Sequence, residues 1–121
     1  MSKISERRRR WAALAVGLIA TGVFFVNICD LVFDCGCASL WAGGAEHCNI
    51  HHAEGPRCPW CANPFTAGAG AFVSVAVAQV WLAVGPLAVG LAARVALTVA
   101  ALPAVGVAIG WLQGSWYGYW G

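Results

Sequence analysis

The chain has 121 residues, of which 60% are hydrophobic and 10% charged, with a formal net charge of +2. A soluble domain of this length usually has about a quarter of its residues charged, so too few polar side chains remain here to cover a water-facing globule. The composition excludes an ordinary soluble domain, and the chain reads as a single all-α integral membrane domain with three transmembrane helices.

The N-terminus is basic: Lys3 and Arg7, Arg8, Arg9 and Arg10 stand against Glu6 alone. Such a run flanking a first apolar span is a topology signal and not a nucleic-acid patch. Residues 11–33 form the first span, since a helix needs about 20 apolar residues to cross the hydrocarbon layer. Its apolar run is longer than the 7–15 residues of a secretory signal, and it leads into Asn27, Asp30 and Asp34 where a cleavage site would need small residues. An uncleaved anchor is therefore expected. Cys29, near its end, is expected to be a small apolar core residue. Asp30 and Asp34 are expected to mark the water boundary.

Residues 34–66 form a loop that holds five of the six cysteines and all three histidines. Cys48-Asn-Ile-His51 and, six residues on, Cys58-Pro-Trp-Cys61 give the ligand spacing of two metal knuckles. A two-residue spacer lets a tight turn aim both side chains at one ion, as in tetrahedral zinc sites. Gly55-Pro56 supplies the reversal between them. The expected zinc ligands are thus Cys48, His51, Cys58 and Cys61. Cys35-Gly-Cys37 adds a second pair, which with His52 and His47 could extend the site or form another, although His47 reads as an ordinary exposed histidine. Copper or iron would also accept such ligands. Disulfides are the competing reading, because thiols outside the cytoplasm tend to oxidise. Six cysteines allow 15 pairings, and spacing does not choose among them. The histidines, useless to a disulfide framework, favour a metal.

The stretch from residue 65 to 113 has 49 residues and one charge, Arg94, so it must fold back once. Gly85-Pro86 and Gly90 offer the break. The second span is placed at residues 67–85 and the third at 94–113. Both are rich in small residues, and Gly106 and Gly110 repeat at a spacing that brings membrane helices close. Gln79 is expected to bond a neighbouring helix. Pro103 should kink the third span or free a carbonyl, and Arg94 should reach the cytoplasmic headgroups. The tail, residues 114–121, holds Trp116, Tyr117, Tyr119 and Trp120 and reads as an interfacial anchor.

Basic residues stay on the cytoplasmic side. The N-terminal arginines and Arg94 therefore face the cytoplasm, whereas the acidic Cys/His loop and the C-terminus lie outside, in an inner or plasma membrane.

Cys58-Pro-Trp-Cys61 before the second span, with Cys35, Cys37 and Cys48 in the loop, partly resembles membrane disulfide-generating enzymes of the vitamin K epoxide reductase and DsbB type. That resemblance implies thiol-disulfide exchange with a quinone. It covers only these residues, and those families use at least four helices around the quinone where this chain offers three. The same Cys-Pro-Trp-Cys also looks like half of a zinc ribbon.

The function expected from the residues is a small membrane protein whose exoplasmic loop binds a metal, with zinc favoured. It would be an accessory subunit docking on a larger membrane complex or on its own copies, more an interaction protein than an enzyme. A thiol-disulfide oxidoreductase using Cys58 and Cys61, or a metal-capture protein, is the alternative.

Overall fold

A computed structural model describes residues 3–120. Helix α1 spans Lys3–Phe33, α2 Pro59–Ala62, α3 Ala69–Val84 and α4 Leu91–Trp116, and no strand occurs among the described residues. A wide π turn, Pro64–Gly68, leads directly into α3. Short 3-10 turns at Leu40–Ala42 and Asn49–His51 shape the intervening loop. Three helical segments are long and apolar enough to cross a membrane: Lys3–Phe33, Pro64–Val84 and Leu91–Trp116. Helix α1 begins eight residues before the expected first span, because the arginine run continues the helix. On it Glu6 and Arg10 pair one turn apart at 2.8 Å.

The three long helices pack closely because glycine and other small side chains face one another. Cβ atoms added at Gly106 and Gly110 would lie 3.0 Å from Ile28 and Val32 of α1, respectively, so α1 rests in a shallow groove on α4. Near the other end, a Cβ on Gly17 would stand 2.4 Å from the Thr98 methyl. This is the close approach that small-residue stripes permit. The α4 helix runs through Pro103, which leaves the carbonyl one turn earlier without its usual donor.

Gln79 is fully buried where the three helices meet. Its amide donates to the carbonyls of Gly17 (3.1 Å) and Thr98 (3.0 Å), and its oxygen accepts from the Thr21 hydroxyl (2.9 Å). It therefore binds α1 and α4 to α3, as its isolation in an apolar run suggests.

Arg94 does something other than the expected reach outward. It is 4% exposed, and its guanidinium donates to the carbonyls of Leu82, Ala83, Gly85 and Leu87. The last carbonyls of a helix have no intrahelical donors. Arg94 fills that deficit at the end of α3 and places a positive charge at the negative end of the helix dipole. Arg10 donates to Val84 at the same end (3.3 Å). The bundle is thus polarised: Arg10 and Arg94 meet at one end, and the cysteine loop, which holds Arg57, closes the other.

Replacing Gln79 by Leu removes three hydrogen bonds that join the helices, while the Thr21 hydroxyl keeps the Gly17 carbonyl of its own helix as acceptor. A loss of about 1–2 kcal/mol is expected. It is measurable as a lower thermal midpoint of the detergent-solubilised protein, with the helical content unchanged.

Candidate metal centre

The loop that closes the bundle is built from anchors, each of which aims a sulfur inward. Trp60 sits between the two cysteines of the Cys58-Pro-Trp-Cys61 motif. Pro59 starts α2 at its first position, where a missing N–H costs nothing. The indole of Trp60 is driven into the bundle, stacks on Phe25 at 4.6 Å and donates to Gln113 Oε1 at 2.6 Å. Gln113 in turn donates to the Ala67 carbonyl at 3.0 Å. Cys58 and Cys61 flank this plug and so take up fixed positions above it.

Asn49 ties the loop together. Its backbone N–H donates to the Cys35 carbonyl (2.7 Å), its side-chain oxygen accepts from the Cys58 N–H (2.6 Å), and its amide donates to the Tyr119 hydroxyl (2.8 Å). Tyr119 passes the chain of bonds on to the Phe33 carbonyl at the end of α1. Burial raises the phenol of Tyr119 above its usual range, so it stays a neutral donor. The aromatic tail therefore folds back beneath the loop. Trp120 stacks on Phe33 at 5.7 Å, while Trp116, at 85% exposed, projects as an anchor would, and Tyr117 beside it is exposed too.

Helix α1 ends where Asp34 takes a positive φ of 47° and Gly36 one of 89°. A Cβ on Gly36 would lie 2.5 Å from the His47 carbonyl oxygen. Glycine alone permits this approach, and the sharp turn brings Cys35 and Cys37 to the same place with their sulfurs 3.4 Å apart. Asp30 accepts from the Gly36 N–H at 2.9 Å and so braces that turn.

All six cysteines are free thiols, and their sulfurs form one cluster. Cys29 lies 3.0 Å from Cys58, 3.5 Å from Cys35 and 4.0 Å from Cys61, and Cys37 lies 3.8 Å from Cys61. Four triads have every sulfur within 4.8 Å of the others: Cys29 with Cys35 and Cys58; Cys29 with Cys37 and Cys61; Cys35 with Cys37 and Cys48; and Cys48 with Cys58 and Cys61. Five of the six cysteines are buried, and Cys61 is the partly exposed one. Hydrogen bonds from Cys29, and then from Cys58, lower the Cys61 thiol to about 4. The Cys29 contact also lowers Cys58, whereas burial raises Cys37 and Cys48. Such splitting is what crowded thiols do, because one ionises more readily when its neighbours keep their protons and donate to it.

Of the expected ligands, Cys35, Cys37, Cys48, Cys58 and Cys61 meet in the cluster. His51 and His52 stand apart. Both are exposed, and neither joins a ligand group among the described residues. The 3-10 turn after Cys48 carries the His51 ring outward, where Nε2 lies 3.1 Å from the Ala45 carbonyl. The sixth sulfur, Cys29, comes from inside α1, where it was expected to pack as an apolar core residue. Its signal is the series Phe25, Cys29, Phe33, at four-residue steps along one helix face. The two rings flank Trp60, at 4.6 and 5.3 Å, and that same face carries Cys29 to the cluster. An apolar groove of about 460 Å³, walled by Phe25, Trp60, Pro64 and Phe72, leads to Cys29 and Cys61.

Compared with known proteins, the chain matches no family model, no curated protein and no solved structure.

Substituting Gly36 by Ala forces a side chain into the His47 carbonyl and into a left-handed conformation that costs about 1–3 kcal/mol. The expected outcome is faster alkylation of the buried thiols, followed by mass spectrometry, together with a lower thermal midpoint. Ala at Gly55 carries the same left-handed strain (φ 95°), but its added Cβ meets nothing within 4 Å, so the midpoint should fall while thiol access stays nearly unchanged.

Proposed function

We propose that this chain is an integral membrane protein whose six cysteines bind a thiophilic metal at the outer membrane surface, and that the metal-ordered loop docks on a larger membrane complex. The observation that carries the reading is the convergence of six free sulfurs, from α1 and from the loop, into one mostly buried cluster. Thiols so concentrated repel one another once ionised, and a soft cation relieves that repulsion. Metal binding would also stabilise a loop with little core of its own. Zinc and copper(I) are both ions that thiolate ligands select.

The membrane part of the reading rests on the bundle's exterior. Ile19 and Phe24 on α1, Val73, Val77 and Trp81 on α3, and Leu97 and Trp111 on α4 are all exposed. An apolar surface around helices whose backbone bonds are satisfied internally suits hydrocarbon. The arginines at the opposite end from the cysteines support a cytoplasmic N-terminus and an exoplasmic loop. Trp41, Phe65 and Trp116, exposed at 72%, 92% and 85%, give aromatic contacts for a headgroup layer or a neighbouring subunit.

A second reading, thiol-disulfide exchange, is favoured by one observation. Cys61 is the accessible thiol, and it opens on the apolar groove, while Cys29 and Cys58 are close enough to pair.

Elemental analysis of protein purified in mild detergent, with a free-thiol count, separates the two. The proposal expects bound metal and thiols that react only after chelation. Metal-free protein whose thiols pair reversibly as disulfides would replace it with the exchange reading.

A further inference from the structure

The four sulfur triads have a relation beyond their number. No pair of cysteines occurs in more than one triad, so the four triads define twelve close pairs among six sulfurs. Every cysteine belongs to two triads, and any two triads share one cysteine. Only the pairs Cys29 with Cys48, Cys35 with Cys61, and Cys37 with Cys58 share none. Six points with that neighbour pattern form an octahedron, and the four triads are its alternate faces. An ion over each such face would see three sulfurs, and every sulfur would bridge two ions.

We infer that the six cysteines form the cage of a tetranuclear copper(I)–thiolate cluster, with one trigonal copper over each triad and all six thiolates bridging. This rests on the proposed metal-binding role of the same site and specifies the ion and its number.

Coordination geometry distinguishes the candidate ions. Zinc in structural sites takes four ligands in a tetrahedron, with bonds of about 2.3 Å to sulfur. A mononuclear zinc would need four sulfurs mutually about 3.8 Å apart at that bond length, yet the ligand groups among the described residues are all triads. Any four of the six cysteines must include one of the three pairs that share no triad. Two zincs sharing a pair of bridging thiolates also fit poorly. With bonds of about 2.3 Å, their terminal sulfurs would stand more than about 5 Å apart across the site in four pairs, and only three pairs here lie outside the close set. An iron–sulfur cluster requires inorganic sulfide between its cysteines, and sulfurs 3.0–4.0 Å apart leave no room for it. Copper(I) is soft, takes thiolate ligands and is content with three. A bond of about 2.3 Å, as for other metal thiolates, spaces three sulfurs round a trigonal ion by about 4 Å. Cys37–Cys61 at 3.8 Å and Cys29–Cys61 at 4.0 Å already have that spacing. Cys29–Cys58, at 3.0 Å, would open by about 1 Å at that bond length.

Loading balances without a redox step. Counted from the fully protonated site, six S–H bonds break, twelve copper–sulfur bonds form, and six protons leave, fewer where Cys61 is already a thiolate. Four copper ions stay monovalent, so the six thiolates and four coppers leave a net charge of minus two. The partly exposed Cys61, which lines the apolar groove, is the point of entry.

The test is an anaerobic copper(I) titration of the reduced full-length protein in detergent, against a competing chromogenic chelator, with emission recorded in parallel. The inference expects saturation at four coppers per chain and the long-wavelength emission of a solvent-shielded copper(I)–thiolate cluster. Cys29→Ser should bind fewer than four, whereas His51→Ala should still bind four. Saturation of the wild-type chain at one or two coppers, or an unchanged stoichiometry in Cys29→Ser, overturns the tetranuclear cluster and leaves a simpler metal site standing. Failure to bind copper or zinc at all overturns both.

Discussion

Six ionisable sulfurs within a few ångströms of one another set the terms for this end of the molecule. Two thiolates about 4 Å apart repel by about 4 kcal/mol at an effective dielectric of 20, and each cysteine has four neighbours at about that range. The cluster can keep most of its protons, form disulfides or enclose cations. Hydrogen bonds from neighbouring thiols lower Cys61, whereas burial raises Cys37. Cations would allow every sulfur to ionise together and would draw the loop onto α1.

The rest of the fold makes that convergence possible. Glycines of α4 admit α1 to close packing, which holds Cys29 and the Phe25–Phe33 face in position. Trp60 enters the bundle and fixes the spacing of Cys58 and Cys61. Asn49 joins the segments of Cys35 and Cys58 to the folded-back tail. At the far end, Arg94 and Arg10 satisfy the carbonyls where α3 turns toward α4. Hydrogen bonds hold the ends, Gln79 joins the three helices mid-bundle, and small residues hold the rest.

The helices were legible in the sequence because hydropathy and Gly-Pro punctuation report them directly, and α3 ends beside Gly85-Pro86 as that punctuation implies. The loop cysteines were legible as a dense group. Their geometry was not, because knuckle spacing describes local turns whereas this cluster depends on contacts between distant segments. Cys29 looked like one more apolar residue of a membrane-length helix until Trp60 arrived beside it from 31 residues away. The pairing of Cys48 with His51 is a good local motif that the 3-10 turn directs elsewhere. Arg94 was readable as a charge beside a turn, but its four carbonyl partners depend on how that turn closes.

Sulfurs that surround shared metal without the histidines would leave a distinct signature in the metal's first shell. X-ray absorption at the metal edge of the protein as isolated tests this most directly. The expected spectrum has a first shell of sulfur alone at about 2.3 Å, with a neighbouring metal behind it. A shell containing nitrogen with imidazole outer scattering, or a sulfur spectrum of disulfides with no metal present, would contradict it.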